Sequence, residues 1–342
     1  MILDDPQIFL HHVDFNQRLV FFVKASQDDI DSREIHDFYD IEPKYPFSLD
    51  RLMDDADCRN LKPLHFLFMT DFCGSTLLAN ALGRLKRVSC LNEVRAFAGL
   101  ATYKRLLDRN MVARFKGAAG EEDWQRVLRL VTFAMSRSCR GDTVIIKEWT
   151  PTNYIISDIL RCHEHIRAIF LYSDLEDYLN AIFRQHWRRE FTRRRMVIEF
   201  LETDLWPMVH EGKATLSDSR IAAAHWFLQQ QAFLRIDQTV LSGIRSLHNS
   251  ELYNHPVETV AAVARHFGMD ISMEEATEAF AAVSKQHSKR VDKPYSMGDR
   301  QKEMELVAQN YQAEIAEGVA QARIWLQAYP LPQPLPCRLD SV

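Results

Sequence analysis

The sequence predicts an α/β fold of three layers, with helices covering both faces of a central, mostly parallel sheet. Three observations predict it. Short apolar runs of strand length recur at residues 64–69, 88–93, 143–149, 166–172 and 244–252. Segments of helical pattern separate them, and strands alternating with helices imply a parallel sheet covered on both faces. The first of these runs, LHFLFM, passes through a tight turn, Thr70 to Gly74, straight into the helix-compatible stretch STLLANALGRL.

Composition bounds the function. A chain of 342 residues buries one large core or two modest ones. A formal charge of −5 gives no global basic field for nucleic acid. Cys58, Cys73, Cys90, Cys139, Cys162 and Cys337 are scattered, with no C-x-x-C spacing, so neither a zinc site nor any other metal is expected. Asp4 and Asp5 stand where a signal peptide would be basic. No apolar run approaches the roughly 18 residues of a membrane span. The expectation is a reduced, cytoplasmic protein with no membrane partner.

In chain order, residues 8–13 and 18–23 read as two strands paired at one edge, and residues 31–62 as an acidic, turn-rich covering segment. His11, His12 and Asp14 offer metal-ligating types, but neighbours on a strand point to opposite faces. After the first core strand, helices are expected to about Lys86, over 94–110, over 122–137, and over 151–163 with Pro151 in the first turn. Further helices are expected over 175–186, 216–241, 256–267 (closed by Gly268), 273–284 and 302–328. Residues 188–195 are intensely basic, and 285–300 basic and irregular. The predicted division is an N-terminal segment 1–62, a core domain 63–328, and a loose, proline-rich tail 329–342.

Ligands of such sheets bind outside the carboxyl ends of the strands. The residues there include Asp71 to Thr76, Asn92, Glu93, Lys147, Glu148, Ser173 and Asp174. Strand, turn, then Gly-Ser-Thr opening a helix is the layout of a loop that aims free backbone N–H groups at an anion. Against G-x-x-x-x-G-K-[ST] it is degenerate: Ser75 replaces the lysine and Met69 the first glycine. The plainer alternative is a β–α turn in which Ser75 caps a helix.

With these residues in place the chain resembles the sulfotransferase-like P-loop family, as a divergent member. The family's [KR]-S-G-T-[ST]-L-L frame reads Phe72-Cys73-Gly74-Ser75-Thr76-Leu77-Leu78 here. Asn92-Glu93-Val94 ends the second strand, VIIKEWTPTNYI the third, and Tyr172-Ser173-Asp174-Leu175-Glu176-Asp177 follows the fourth. IRSLHNSELYNHPVETVAAVARHFG matches the family's late strand–helix, so the matches span about residues 64–268. The resemblance implies a P-loop NTPase-like fold and transfer of a sulfuryl group from 3′-phosphoadenosine 5′-phosphosulfate (PAPS) to a hydroxyl or amine. It implies that Cys73, Gly74, Ser75, Thr76 and Leu77 hold the 5′-phosphate, that Lys147 stabilises charge, and that Glu93 is the general base, with His287 and Glu148 behind it. Phe72 stands where the family has Lys or Arg, and Ser173 and Ala181 replace its usual 3′-phosphate ligands. Ser173, Arg184, Ser288, Lys289 and Arg290 are the expected nucleotide contacts, with Lys147 and Lys285 as further sources of charge.

Two other functions stay open on the residues alone. A Mg-ATP phosphotransferase would use Thr76 and Asp174 on the metal, but lacks the loop lysine. A non-catalytic relative would keep the degenerate loop only as a binding or scaffold element. Arg188, Arg189, Arg193, Arg194 and Arg195 read either as a solvated face or as a dock for an acidic acceptor. Cys73, at a helix start, reads either as an activated thiol or as a small filler.

Overall fold

The computed structural model describes residues 3, 5, 7–25, 44–56, 61–112, 120–137, 141–200, 216–284, 286–287, 290–294 and 297–339. At the N-terminus β1 (Ile8–Asp14) and β2 (Leu19–Lys24) pair antiparallel, with Ile8 opposite Lys24 and Asp14 opposite Leu19. The covering segment contributes more order than expected: β3 (Tyr45–Ser48) joins β2, and α1 (Leu49–Ala56) follows it. Arg18 forms an ion pair with Asp50 and anchors that corner. His12 stacks on Phe21. Among the described residues no group of three or more His, Cys, Asp or Glu is arranged to hold a metal ion.

The central sheet contains β4 (Leu64–Met69), β5 (Val88–Asn92), β6 (Thr143–Lys147), β7 (Arg167–Tyr172) and β8 (Ile244–His248), in the order β5-β6-β4-β7-β8, all parallel. Alternate strand residues feed two cores. Phe66, Phe68, Val144, Ile146 and Phe170 face α3 (Arg95–Asp108) and α4 (Glu121–Arg137), through Phe97, Trp124 and Leu128. Leu67, Met69, Ile145, Ile169 and Leu171 face α2 (Ser75–Leu82) and later helices. Both faces are covered, which is why the strands are apolar throughout instead of alternating. The fold class is the expected three-layer, P-loop NTPase-like one.

Several boundaries differ from the sequence reading, and the helix expected over 302–328 is in fact two helices. Residues 151–163 split into a 3-10 turn (Thr150–Ile155) and α5 (Ile156–Cys162). The basic stretch lies inside a helix: α6 (Leu175–Phe183) is followed by α7 (His186–Phe200). The long helix stops early, as α8 (Asp218–Leu234), and Asp237 accepts from Thr239 N–H to cap a separate 3-10 turn (Gln238–Gly243). β8 ends at His248, whose ring accepts from Ser250 N–H and starts α9 (Asn249–Asn254). Helices α10 (Pro256–His266) and α11 (Met273–Ala281), strands β9 (Gln286–His287) and β10 (Arg290–Pro294), and helices α12 (Met297–Asn310) and α13 (Gln312–Ala328) complete the chain. A third core of Tyr178, Leu179, Ile182, Phe227 and Trp325 binds α6, α8 and α13 together.

The tail is not loose. Ser246 N–H donates to Cys337 O (2.8 Å), and Leu339 N–H to Ser246 O (2.9 Å). Leu335 is fully buried. β8 is an edge strand, and its unpaired backbone groups are what residues 337–339 satisfy. Among the described residues no helix is long and apolar enough to cross a membrane.

Candidate functional site

Chain leaving β4 runs to β5 at one edge of the sheet, and chain leaving β7 runs to β8 at the other. The connections diverge between neighbouring strands, which opens a crevice at their carboxyl ends. The loop after β4 lies there. Thr70 N–H still donates to Leu171 O (2.9 Å), and then the chain curls through two left-handed residues, Phe72 (φ 61°) and Gly74 (φ 100°). Glycine is required at 74: a Cβ would lie 2.6 Å from the Tyr253 hydroxyl of α9.

The curl turns several side chains inward. Cys73 is fully buried, its thiol donates to Leu171 O (3.5 Å), and burial pushes its pKa up to about 12. It is a filler, and the activated-thiol alternative fails because desolvation outweighs the helix terminus. The Ser75 hydroxyl donates to Met69 Sδ beneath the loop, so Ser75 offers an anion its backbone and not its side chain. Leu77 N–H is committed to Gly74 O (3.0 Å), which corrects its expected role as a phosphate donor. The N–H groups that α2 can present lie before Leu77, beside the half-exposed Thr76.

The two predicted catalytic side chains come together on adjacent strands. Glu93, just past β5 and left-handed (φ 60°), donates its N–H to Lys147 O (2.5 Å). Lys147 Nζ donates in turn to Glu93 Oε1 (2.5 Å), and Trp149 Nε1 donates to Oε2. The lysine side chain is 2 % exposed and the glutamate 13 %. Glu148 faces the other way. It is fully buried, accepts from Thr152 Oγ1 (3.0 Å), and burial pushes its pKa up to about 8. It has no access to an acceptor, which removes it as a second base.

Of the expected nucleotide contacts, Ser173 and Arg184 have described side chains. Ser173 is buried, with its carbonyl accepting from Trp226 Nε1 (2.8 Å). Arg184, at the end of α6, is ion-paired with Glu303 of α12. Ser288, Lys289 and Lys285 lie outside the described residues, as do the side chains of Arg290 and His287. Asp174, the carboxylate a magnesium site would use, faces His248 Nε2 (3.3 Å).

The basic run is divided among partners. Arg189 and Arg193 pair with Asp218 (3.4 and 2.7 Å). Arg195 is buried, its guanidinium 4.7 Å from both the Trp149 and Phe191 rings. Arg188 lies 4.6 Å over the Phe72 ring. Arg194 is exposed. Sequence reasoning missed Trp149, though an aromatic directly after a charged strand end was a usable signal. It also missed the buried set behind the loop. There His225 Nδ1 meets Tyr178 Oη (2.8 Å), His225 Nε2 lies 3.9 Å from Asp71 Oδ2, and Thr150 Oγ1 donates to Asp71 (3.4 Å). No local signal links residues so far apart in the chain.

The fold defines the class: a three-layer α/β protein with a P-loop NTPase-like central sheet of five parallel strands. No family model matches the chain, and no curated protein matches it significantly in sequence. Among solved structures it is similar to the sulfotransferase domain from the curacin biosynthetic pathway, at 12% identity and TM-score 0.41, over 80% of this chain and 100% of that one. It is likewise similar to the sulfotransferase domain of the Synechococcus olefin synthase, at 15% identity and TM-score 0.41, over 81% and 98%. A mouse sulfotransferase complexed with PAP aligns at 11% identity and TM-score 0.34, over 70% and 72%. At such identities the likeness concerns fold alone.

Proposed function

We propose that the chain is a sulfotransferase that moves a sulfuryl group from PAPS to a hydroxyl or amine of an acceptor. The observation that carries this reading is the meeting of Glu93 and Lys147 at 2.5 Å, at the ends of β5 and β6, the second of which lies beside the strand that feeds the Gly74 loop. A base and a cation held next to an anion cradle are what sulfuryl transfer needs, because, as in phosphoryl transfer, positioning and charge stabilisation do most of the work.

The cradle suits the 5′ side of the nucleotide. The start of α2 has no side-chain cap, so its first N–H groups would face an anion, while Gly74 lets the loop pass close to the Tyr253 hydroxyl. PAPS supplies the activated sulfuryl group when bound. Glu93 then accepts the acceptor's proton as the new bond to sulfur forms. The bond from sulfur to the bridging phosphate oxygen breaks, its electron pair stays on that oxygen, and Lys147 neutralises the charge there. The products are the sulfated acceptor and 3′,5′-bisphosphoadenosine (PAP). Each carboxylate oxygen has a second lone pair, so Glu93 can take the acceptor's hydrogen bond while Trp149 still orients it. An acidic acceptor docking on α7 would meet Arg194 and the one positive charge that Asp218 leaves over between Arg189 and Arg193.

The buried Ser173 and the Arg184–Glu303 pair favour a second reading, a nucleotide-binding or scaffold relative that performs no transfer. Calorimetric titration with PAP, PAPS and Mg·ATP tests which nucleotide binds, and release of PAP from PAPS in the presence of hydroxyl and amine acceptors separates transfer from binding alone. The sulfotransferase reading expects PAP and PAPS to bind without magnesium. A response to Mg·ATP alone would make the chain a phosphotransferase, and silence toward all three would leave the scaffold reading.

A further inference from the structure

We infer that Arg195 of α7 is a positioning residue for Glu93, acting through the Trp149 indole that it holds in place. The inference rests on the reading above in one respect, that Glu93 is the base.

Glu93 and Lys147 by themselves make a poor catalytic pair. An ammonium group has three donors, so both oxygens of a neighbouring carboxylate can turn to it, and then neither is aimed at an acceptor. Trp149 prevents that turn. Its Nε1 donates to Oε2 while Lys147 holds Oε1 at 2.5 Å, which fixes the carboxylate plane and the direction of the second lone pair on each oxygen. The duty then passes to whatever fixes the indole.

The backbone fixes only the origin of that side chain. Glu148 N–H donates to Leu67 O (2.9 Å) and Thr152 N–H to Trp149 O (3.0 Å), which clamps the chain on both sides of residue 149. Neither bond sets the turn of the ring, because the second torsion of an aromatic side chain has a broad well. Trp149 is only partly buried, so its neighbours do not enclose it on every side.

Arg195 sets the turn. Its guanidinium lies 4.7 Å from the Trp149 ring and 4.7 Å from the Phe191 ring. Phe191 and Arg195 share one face of α7 by their i, i+4 spacing. Phe191 meets Trp187 and Phe72 in turn, at 6.2 and 6.4 Å between ring centroids, so the stack is braced from behind. At 6 % exposure Arg195 is buried, and its contact with Trp149 is shielded from solvent. A cation over the ring face also draws on the π density and makes the edge N–H a stronger donor. An apolar side chain of the same length would pack there without doing so.

The test is a double-mutant cycle of Arg195→Met and Trp149→Phe, with Arg195→Lys beside it, and each protein is measured in three ways. Release of PAP from PAPS, with para-nitrophenol and benzylamine as acceptors, yields kcat and KM. Calorimetry yields PAP affinity. Nitrogen-15 NMR of the indole N–H groups yields the Trp149 signal, assigned by its loss in Trp149→Phe. Arg195→Met is expected to lower kcat roughly 10-fold, the worth of one hydrogen bond to a charged group, with KM for PAPS and PAP affinity unchanged. Its Trp149 N–H proton should move upfield and exchange with solvent about 10-fold faster. In the Trp149→Phe background the same substitution should cost no more than about twofold, because no N–H is left to aim. Arg195→Lys returns a cation to the ring and is expected to recover most of the loss. Losses that multiply in the double variant, or a Trp149 signal that stays in place, overturn the inference. Should Arg195→Met fail to fold, Phe191→Leu loosens Arg195 from its other side and should move the same signal; no movement overturns the inference equally. A native chain that neither binds PAP nor releases it from PAPS overturns the sulfotransferase reading, and the indole signal then decides by itself whether Arg195 holds Trp149.

Discussion

Glu93 and Glu148 flank the same strand end and live in opposite worlds. Glu93 has both oxygens engaged, by Lys147 and Trp149, and a fraction of its side chain reaches the crevice. Glu148 is sealed beneath the sheet edge with Thr152, and its Oε1 meets no hydrogen-bond donor among the described residues. Alternation along β6 and its continuation puts Lys147 toward the crevice and Glu148 away from it. Two carboxylates so close in space can then take separate duties, because environment and not residue type sets their protonation. The first is suited to proton transfer, and the second is a structural acid.

The largest effect expected from this contrast is at Glu93. Glu93→Gln keeps an acceptor for Lys147 and the shape of the site but loses the base. Turnover should fall by about 10²–10⁴, with PAP affinity unchanged by calorimetry. Unaltered turnover would remove Glu93 as the base and with it the division of labour. Truncation to Ala would be a poorer test, since orphaning the buried Lys147 costs about 3–5 kcal/mol.

A smaller effect is expected at Trp149. Trp149→Phe deletes the donor to Glu93 Oε2 and keeps a ring under Arg195. We expect kcat to drop roughly 10-fold, the worth of one hydrogen bond to a charged group, with KM for PAPS little changed. An equal loss at both parameters would mean that Trp149 shapes the nucleotide pocket instead of orienting the base.

Much of this was legible in the chain. Five apolar runs became five strands because burial on both faces demands uninterrupted apolar side chains. Glu93 and Lys147 stood at strand ends, and the resemblance to the sulfotransferase-like family singled them out from the other residues there. That they touch was not legible. Their contact depends on β5 lying beside β6, with Asn92 opposite Lys147, which is a property of strand order. The surroundings of Ser173 were not legible for a related reason: only the fold shows that it is buried and that Trp226 and Gln230 reach its carbonyl. Arg188 was visible only as part of a basic run. Its separation from Arg189 and Arg193 follows from helical phase against Phe72 and Asp218, two elements remote in sequence. The tail was misread because the open edge of β8 appears only when the sheet is assembled.

The smallest effect, and the sharpest check on the second carboxylate, is a pH dependence at Glu148. Burial raises its folded pKa from the ordinary carboxyl value of 4.5 to about 8. The folded chain therefore binds one more proton than the unfolded chain between those values, and stability must fall as pH rises through that window. Below about pH 4.5 both states are protonated and the penalty vanishes; above about pH 8 it is complete. Glu148→Gln imitates the protonated acid at every pH and keeps an acceptor for Thr152. Its thermal midpoint should exceed that of the native chain on the order of 2 °C at pH 8.5, and the gap should close as the pH approaches 5. A gap independent of pH would mean that Glu148 does not titrate across this window. It would then be held as an anion by the neighbouring Lys147, and the two carboxylates would differ in access alone.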